Sequence, residues 1–171
     1  MIQRLSILLT GFCWLLTGCQ QAPETATTSQ AVLKVLGGET VVDIIRSADT
    51  ARAYRLPPET FYNDRLSEYD VPAGSLAVPA ASLASLKRVL LDQQSYELLS
   101  AKGCEPIFGV GVTFEKGADT VDVLFCFQCD ILVVYHHDED VGGEDFDPVR
   151  PTLISVMKQT FVDDDVIQGL Q

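Results

Sequence analysis

Three cysteines and a histidine pair are the residues of this chain with the widest chemical range. Cys126-Phe127-Gln128-Cys129 has the C-x-x-C spacing shared by thiol-disulfide enzymes and zinc turns. Cys104 lies upstream of it, and His136-His137 follow. Cys104, Cys126 and Cys129, with His136 or His137 as the fourth ligand, would together supply four soft or borderline donors, a set suited to tetrahedral zinc or to copper. A thiol-redox pair would need Cys126 at a helix N-terminus, where the dipole lowers the thiol pKa. The motif instead stands inside an apolar β-pattern with no helix after it, and a flat strand splays the two sulfurs apart. Structural cysteines are therefore the preferred reading, with thiol or metal chemistry as the alternative.

Carboxylates follow the histidines. Asp138, Asp140 and Glu144 could contribute oxygens to a weak calcium site of the kind found in extracellular modules. The spacing lacks the sixth-position glycine and twelfth-position glutamate of an EF-hand loop, so a solvated acidic loop is preferred. No serine lies in a G-x-S-x-G context, and no glycine-rich phosphate loop follows a strand. Gly109-Val110-Gly111 lies mid-strand, where glycine marks close packing by a neighbour. The sequence thus supplies no catalytic residue and implies no cofactor beyond a covalent lipid on Cys19.

The elements that must position these residues are legible from periodicity. Val41, Ile44, Ile45 and Ala48 recur at helical spacing after Gly37-Gly38. Thr50 to Leu56 reads as a strand ended by Pro57-Pro58, and 59–79 as a long connection. A second helix spans about Ala80 to Leu91, with Ser95 to Ser100 continuing for a turn or two. Two β runs follow, Ile107 to Phe114 and Thr120 to Tyr135, joined through Lys116-Gly117-Ala118-Asp119. Pro148 to Phe161 closes the chain as a helix. The order α-β-α-β-β-α predicts an α+β domain, a small antiparallel or mixed sheet with helices packed on one face.

The first residues carry a resemblance. Arg4 precedes an apolar run from Leu5 to Leu16, too short to remain as a transmembrane helix, which ends in Leu16-Thr17-Gly18-Cys19. This resembles the lipobox of bacterial lipoproteins. The resemblance implies cleavage after residue 18, palmitate-type acylation of Cys19, and a membrane held as partner through that lipid. Several chains on one cysteine anchor durably, at roughly 0.8 kcal/mol per buried methylene. Gln20, in place of a retaining aspartate, implies the outer membrane, facing the periplasm or the cell surface. Residues 19–33 then form the lipidated cysteine and a tether, since Ala22 to Gln30 lacks large apolar side chains. Residues 34–171 form one domain. After cleavage, 11 basic and 24 acidic side chains remain, a formal −13. That charge argues against nucleic acid as a partner and leaves an envelope protein as a possible one.

Export changes how the cysteines read. Phe108, Val110, Val112 and Phe114 share one face of the first β run, and Val121, Val123, Phe125, Phe127, Cys129, Ile131 and Val133 one face of the second. With Lys116-Gly117 as a two-residue loop, Phe108 opposes Phe125 and Val110 opposes Val123. Cys104 then opposes Cys129 on the core side, while Cys126 points to the other face. In an oxidising compartment this favours a Cys104–Cys129 disulfide. A different pairing through Cys126, or three reduced thiols, stays open.

From about Leu86 onward the chain also resembles a group of uncharacterised bacterial proteins, many of them exported. The likeness rests on Lys102-Gly103-Cys104-Glu105-Pro106, Gly109, Phe114, Val121-Asp122-Val123, Cys126-Phe127-Gln128-Cys129-Asp130, Phe146-Asp147-Pro148, Phe161 and Asp164. Val162 stands where such proteins often carry proline. The resemblance implies no activity; it directs attention to the three cysteines.

Overall fold

The computed structural model describes residues 28–57, 65–71 and 74–171. The signal stretch, Cys19, most of the tether and Pro58 lie outside the described residues. Helix α1 (Gln30–Leu36) begins inside the stretch assigned to the tether. Ser29 caps it, its Oγ accepting from the Val32 amide at 3.2 Å. Gly37, at φ 86°, ends it in the left-handed conformation. The sequence hid this helix because Val32, Val35 and Leu36 give only one apolar turn, whose worth lies in what it covers.

Helix α2 (Glu39–Ser47) buries Val41, Val42, Ile44 and Ile45, as its periodicity predicts. Strand β1 (Thr50–Arg55) follows. The long connection beyond it contains a 3-10 turn at Leu66–Glu68 and a short strand, β2 (Ser75–Ala77), which pairs with β1. Helix α3 (Ala80–Leu90) packs Leu83, Leu86, Val89 and Leu90 inward. The expected helical turns at Ser95 to Ser100 are replaced by a 3-10 turn at Gln93–Ser95 and an irregular stretch. Two tertiary bonds divert that stretch from helix: Tyr96 Oη donates to Leu90 O at 2.7 Å, and the Glu97 amide donates to Asp145 O at 3.0 Å.

Strands β3 (Val110–Lys116) and β4 (Asp119–Cys126) form the expected hairpin two residues out of the expected register. Val110 opposes Phe125, and the loop is Gly117-Ala118. Gly117 takes φ 61°, so the residue free of Cβ strain leads the turn. A slip of two preserves side-chain parity, so the predicted apolar faces still meet. The second β run does not continue to Tyr135. It breaks at residues 127–130, where Asp130 takes φ 57°, and returns as β5 (Ile131–His136). The break inverts parity: Leu132 and Val134 join the helix side, while Ile131 and Val133 face away. The acidic segment is strand β6 (Glu139–Asp145), joined to β5 by His137-Asp138, both left-handed. A 3-10 turn at Asp147–Val149 leads into α4 (Arg150–Thr160), and α5 (Asp165–Gln168) follows, capped by Asp164.

Among the described residues the sheet is antiparallel and open, in the order β2-β1-β3-β4-β5-β6. All five helices contribute to one core, on one face, against Ala51, Ala53, Val112, Phe114, Val123 and Phe125. The α+β class with helices on one face therefore holds. The opposite face carries a second, smaller apolar cluster of Leu56, Tyr69, Phe108, Leu124, Cys126 and Tyr135. Its cover is irregular chain, contributed by the segment around Leu66–Val71 and by Phe108. Among the described residues no helix is long and apolar enough to cross a membrane.

Candidate functional site

Cys104 and Cys129 form a disulfide, with their Cα atoms 6.0 Å apart. The pairing expected from strand register is present, but neither cysteine lies in a strand. Cys104 is exposed in the irregular approach to β3, and Cys129 sits in the turn between β4 and β5. Both Cys126 and Cys129 belong to the outer cluster, so Cys129 lies on the face opposite to the one expected. The parity inversion at the turn is the reason.

Cys126 is a free, fully buried thiol whose sulfur accepts the Cys129 amide at 3.4 Å. Two cations clamp the turn. Lys102 Nζ donates to Cys129 O at 2.6 Å and to Asp147 at 2.5 Å, with Asp145 at 3.8 Å. Desolvation works against the Lys102 charge, but Asp147, Asp145 and Asp130 outweigh it and hold its pKa above the usual value. Arg150 donates to Phe127 O at 2.5 Å, to Asp130, and to Gln171 O. These bonds satisfy turn carbonyls that no strand partner reaches.

The structure brings the three sulfur-bearing residues to one end of β5 and leaves His136 at the other. Cys126 pairs with Ile131, five residues before His136, a span of about 16 Å along a strand. His136 lies against His137, with ring centroids 4.0 Å apart and planes tilted by 39°, and its Nε2 is buried without a hydrogen-bond partner among the described residues. Among the described residues no group of three or more His, Cys, Asp or Glu is placed to hold a metal ion. The calcium candidates also separate. Asp138 accepts from Ser67 Oγ at 2.9 Å, Asp140 from the Gly142 amide at 3.2 Å, and Glu144 from the Asp145 amide at 3.0 Å. Each carboxylate is turned to a local donor, and Glu144 lies at the far end of β6.

A groove that the sequence did not disclose lies on the outer face. It occupies about 380 Å3 between the Leu66–Glu68 turn and the sheet, lined by Tyr54, Leu66, Tyr69, Thr113, Thr120 and Asp122 among others. Strand pairing places Arg52, Thr113, Asp122 and Tyr135 in one row across β1, β3, β4 and β5. Thr113 Oγ1 donates to Asp122 Oδ1 at 2.5 Å. Burial raises the Asp122 pKa, the Thr113 bond opposes the rise, and the Asp138 charge adds to it. Gly111 lets Leu66 settle on the floor, because a Cβ there would lie 2.8 Å from Leu66 Cδ1. A second cavity, of about 310 Å3, borders Arg55 and Asp164, which pair with each other at 3.3 Å.

No protein-family model matches the chain, and no curated protein matches it. Among solved structures, it is similar to the crystal structure of a candidate lipoprotein from Clostridium perfringens. The identity is 10% and the TM-score 0.37, over 68% of this chain and 91% of that one.

Proposed function

We propose that this chain is an exported lipoprotein, acylated on Cys19, whose domain serves the cell envelope as a binding or structural module and not as an enzyme. The observation that carries the reading is Leu16-Thr17-Gly18-Cys19 at the end of a short apolar run. The Cys104–Cys129 disulfide supports it, since such bonds persist in oxidising compartments and are rare in reducing ones. Gln20 after the lipidated cysteine favours the outer membrane. The module reading is supported by the way polar groups are committed: Lys102 and Arg150 brace a turn, and Arg55 is bonded to Leu56 O, Gly109 O and Asp164.

Metabolic labelling with a palmitate analogue, in a host that processes lipoproteins, tests the anchor. The expected product is labelled, membrane-bound and cleaved before Cys19, and Cys19→Ala abolishes the label. An unlabelled product released by washing overturns the reading. The thiol alternative retains one observation, the Cys129 amide bonded to the Cys126 sulfur, which sets the free thiol beside the disulfide. Peptide mapping without reductant separates the two readings. Cys104–Cys129 as the single linkage is expected of a structural bond, and a mixture with Cys126–Cys129 would mark thiol exchange.

A further inference from the structure

We propose that the groove on the outer face binds a small organic cation, an amine or quaternary ammonium, between the Asp122 carboxylate and the rings of Tyr54 and Tyr69. The proposal rests on the reading of the domain as a binding module and names the class of ligand it takes.

Size is the first argument. A cavity of about 380 Å3 falls at the lower end of the range for small-molecule sites, roughly 300–1,000 Å3, and excludes a folded partner. Charge is the second. Among the described residues Asp122 is the charged one in the lining, and the nearby Asp138 adds a second negative charge. Arg52 stands next to Thr113 in the same row, but its guanidinium is held by Glu115 at 3.3 Å and donates to Ser75 Oγ at 3.0 Å. An anion would meet repulsion here, and a cation would find a partly desolvated carboxylate whose hydrogen-bonding side-chain partner is the Thr113 hydroxyl.

The walls decide between kinds of cation. Calcium takes six to eight oxygens, and the groove offers one carboxylate and a few hydroxyls. Tyr54 and Tyr69 instead present aromatic surface, with Leu66 and Val71 beside them. Aromatic faces next to a carboxylate attract an alkylammonium through both its charge and its methyl or methylene groups. The sheet fixes Tyr54, Thr113 and Asp122 on three adjacent strands, so the floor is rigid before any ligand arrives. Tyr69 closes the groove from the irregular cover.

Calorimetric titration of the detergent-solubilised full chain with choline, and separately with spermidine, tests the proposal. Binding with Kd below about 1 mM is expected for at least one of them. Asp122→Asn is expected to weaken it at least about tenfold, and Tyr54→Leu several-fold, in line with a desolvated cation–aromatic contact. Melting temperatures confirm that each variant is folded, and Tyr54→Leu carries the test if Asp122→Asn is not. Three results overturn the proposal: no heat from either amine up to about 10 mM, binding indifferent to both substitutions, or Asp122-dependent heat from calcium chloride alone. Acylation of Cys19 is read separately by labelling, so the anchor and the ligand can fail independently.

Discussion

Asp122 carries its charge where water reaches it only in part, and the consequence can be measured as a pH dependence of stability. Its folded pKa is raised above 3.8 by burial first, with Asp138 adding to the rise and the Thr113 bond opposing it. The folded chain therefore holds this proton more tightly than the unfolded chain does. The resulting stability is fully present below the unfolded pKa and is lost as pH rises through the folded one. Asp122→Asn removes the titration and can keep the Thr113 bond. Urea denaturation at neutral pH is expected to find the variant at least as stable as the parent, with the difference vanishing at acid pH. A variant clearly less stable at neutral pH would show that the carboxylate is structural. The disulfide is the other residue-scale lever. Its sequence separation of 25 implies about 3.5 kcal/mol from loop closure. Cys104→Ser should lose about that much in denaturant titrations. The expected pairing of Cys104 with Cys129 is present, although the strand register and core-side placement that predicted it are not. The sequence hid where they sit, because a tight turn inside an unbroken apolar run leaves no break in composition. Asp122 was visible only as an outward strand residue; its importance depends on β1 and the Leu66–Glu68 turn, neither of which is its neighbour in sequence.

At the scale of elements, helices with a full apolar face were legible and short or disguised pieces were not. Helices α2, α3 and α4 announce themselves through i, i+3, i+4 spacing. Strand β2 has three residues, too few for any period to show. Strand β6 reads as an acidic loop because Gly142-Gly143 and four carboxylates mask it. Those glycines are an adaptation to α1. A Cβ on Gly142 would strike the Val35 carbonyl, and one on Gly37 would strike Val141. Gly142→Ala is therefore expected to cost about 2 kcal/mol by overpacking and to raise amide exchange in α1 ahead of the rest of the molecule. Gly111→Ala should cost less, since the obstacle there is the end of the Leu66 side chain and not backbone. The β5–β6 turn offers the reverse test. His137 at φ 53° occupies a conformation that asparagine tolerates better, so His137→Asn should raise stability by about 0.5 kcal/mol, read from the denaturation midpoint.

At the scale of the whole molecule, the sheet divides two interiors that are unequal among the described residues. One is a helix-covered core that carries most of the burial; the other is a smaller cluster under irregular chain. The expectation of helices on one face was right, and it left the other face unaddressed, because long loops carry no periodicity from which a cover could be inferred. The thinner side also holds the groove and the free thiol. The acidic balance appears at this scale too. Among the described residues Lys34, Arg65, Arg88 and Lys158 are the cations outside the ion pairs and side-chain hydrogen bonds described for the others, so the field reaching solvent is dominated by carboxylates.

Cys126 turns this asymmetry into a clock. It is the free thiol among the described residues, fully buried, and it lies under irregular chain and not under helices. A thiol reagent reaches it whenever that cover lifts, an event that leaves the helical core intact. The labelling rate without denaturant thus counts openings of one face, and it should exceed the rate set by global unfolding. The cluster that encloses Cys126 also includes Tyr69, a wall of the groove, so an occupant that stabilises this face as a unit is expected to slow the clock.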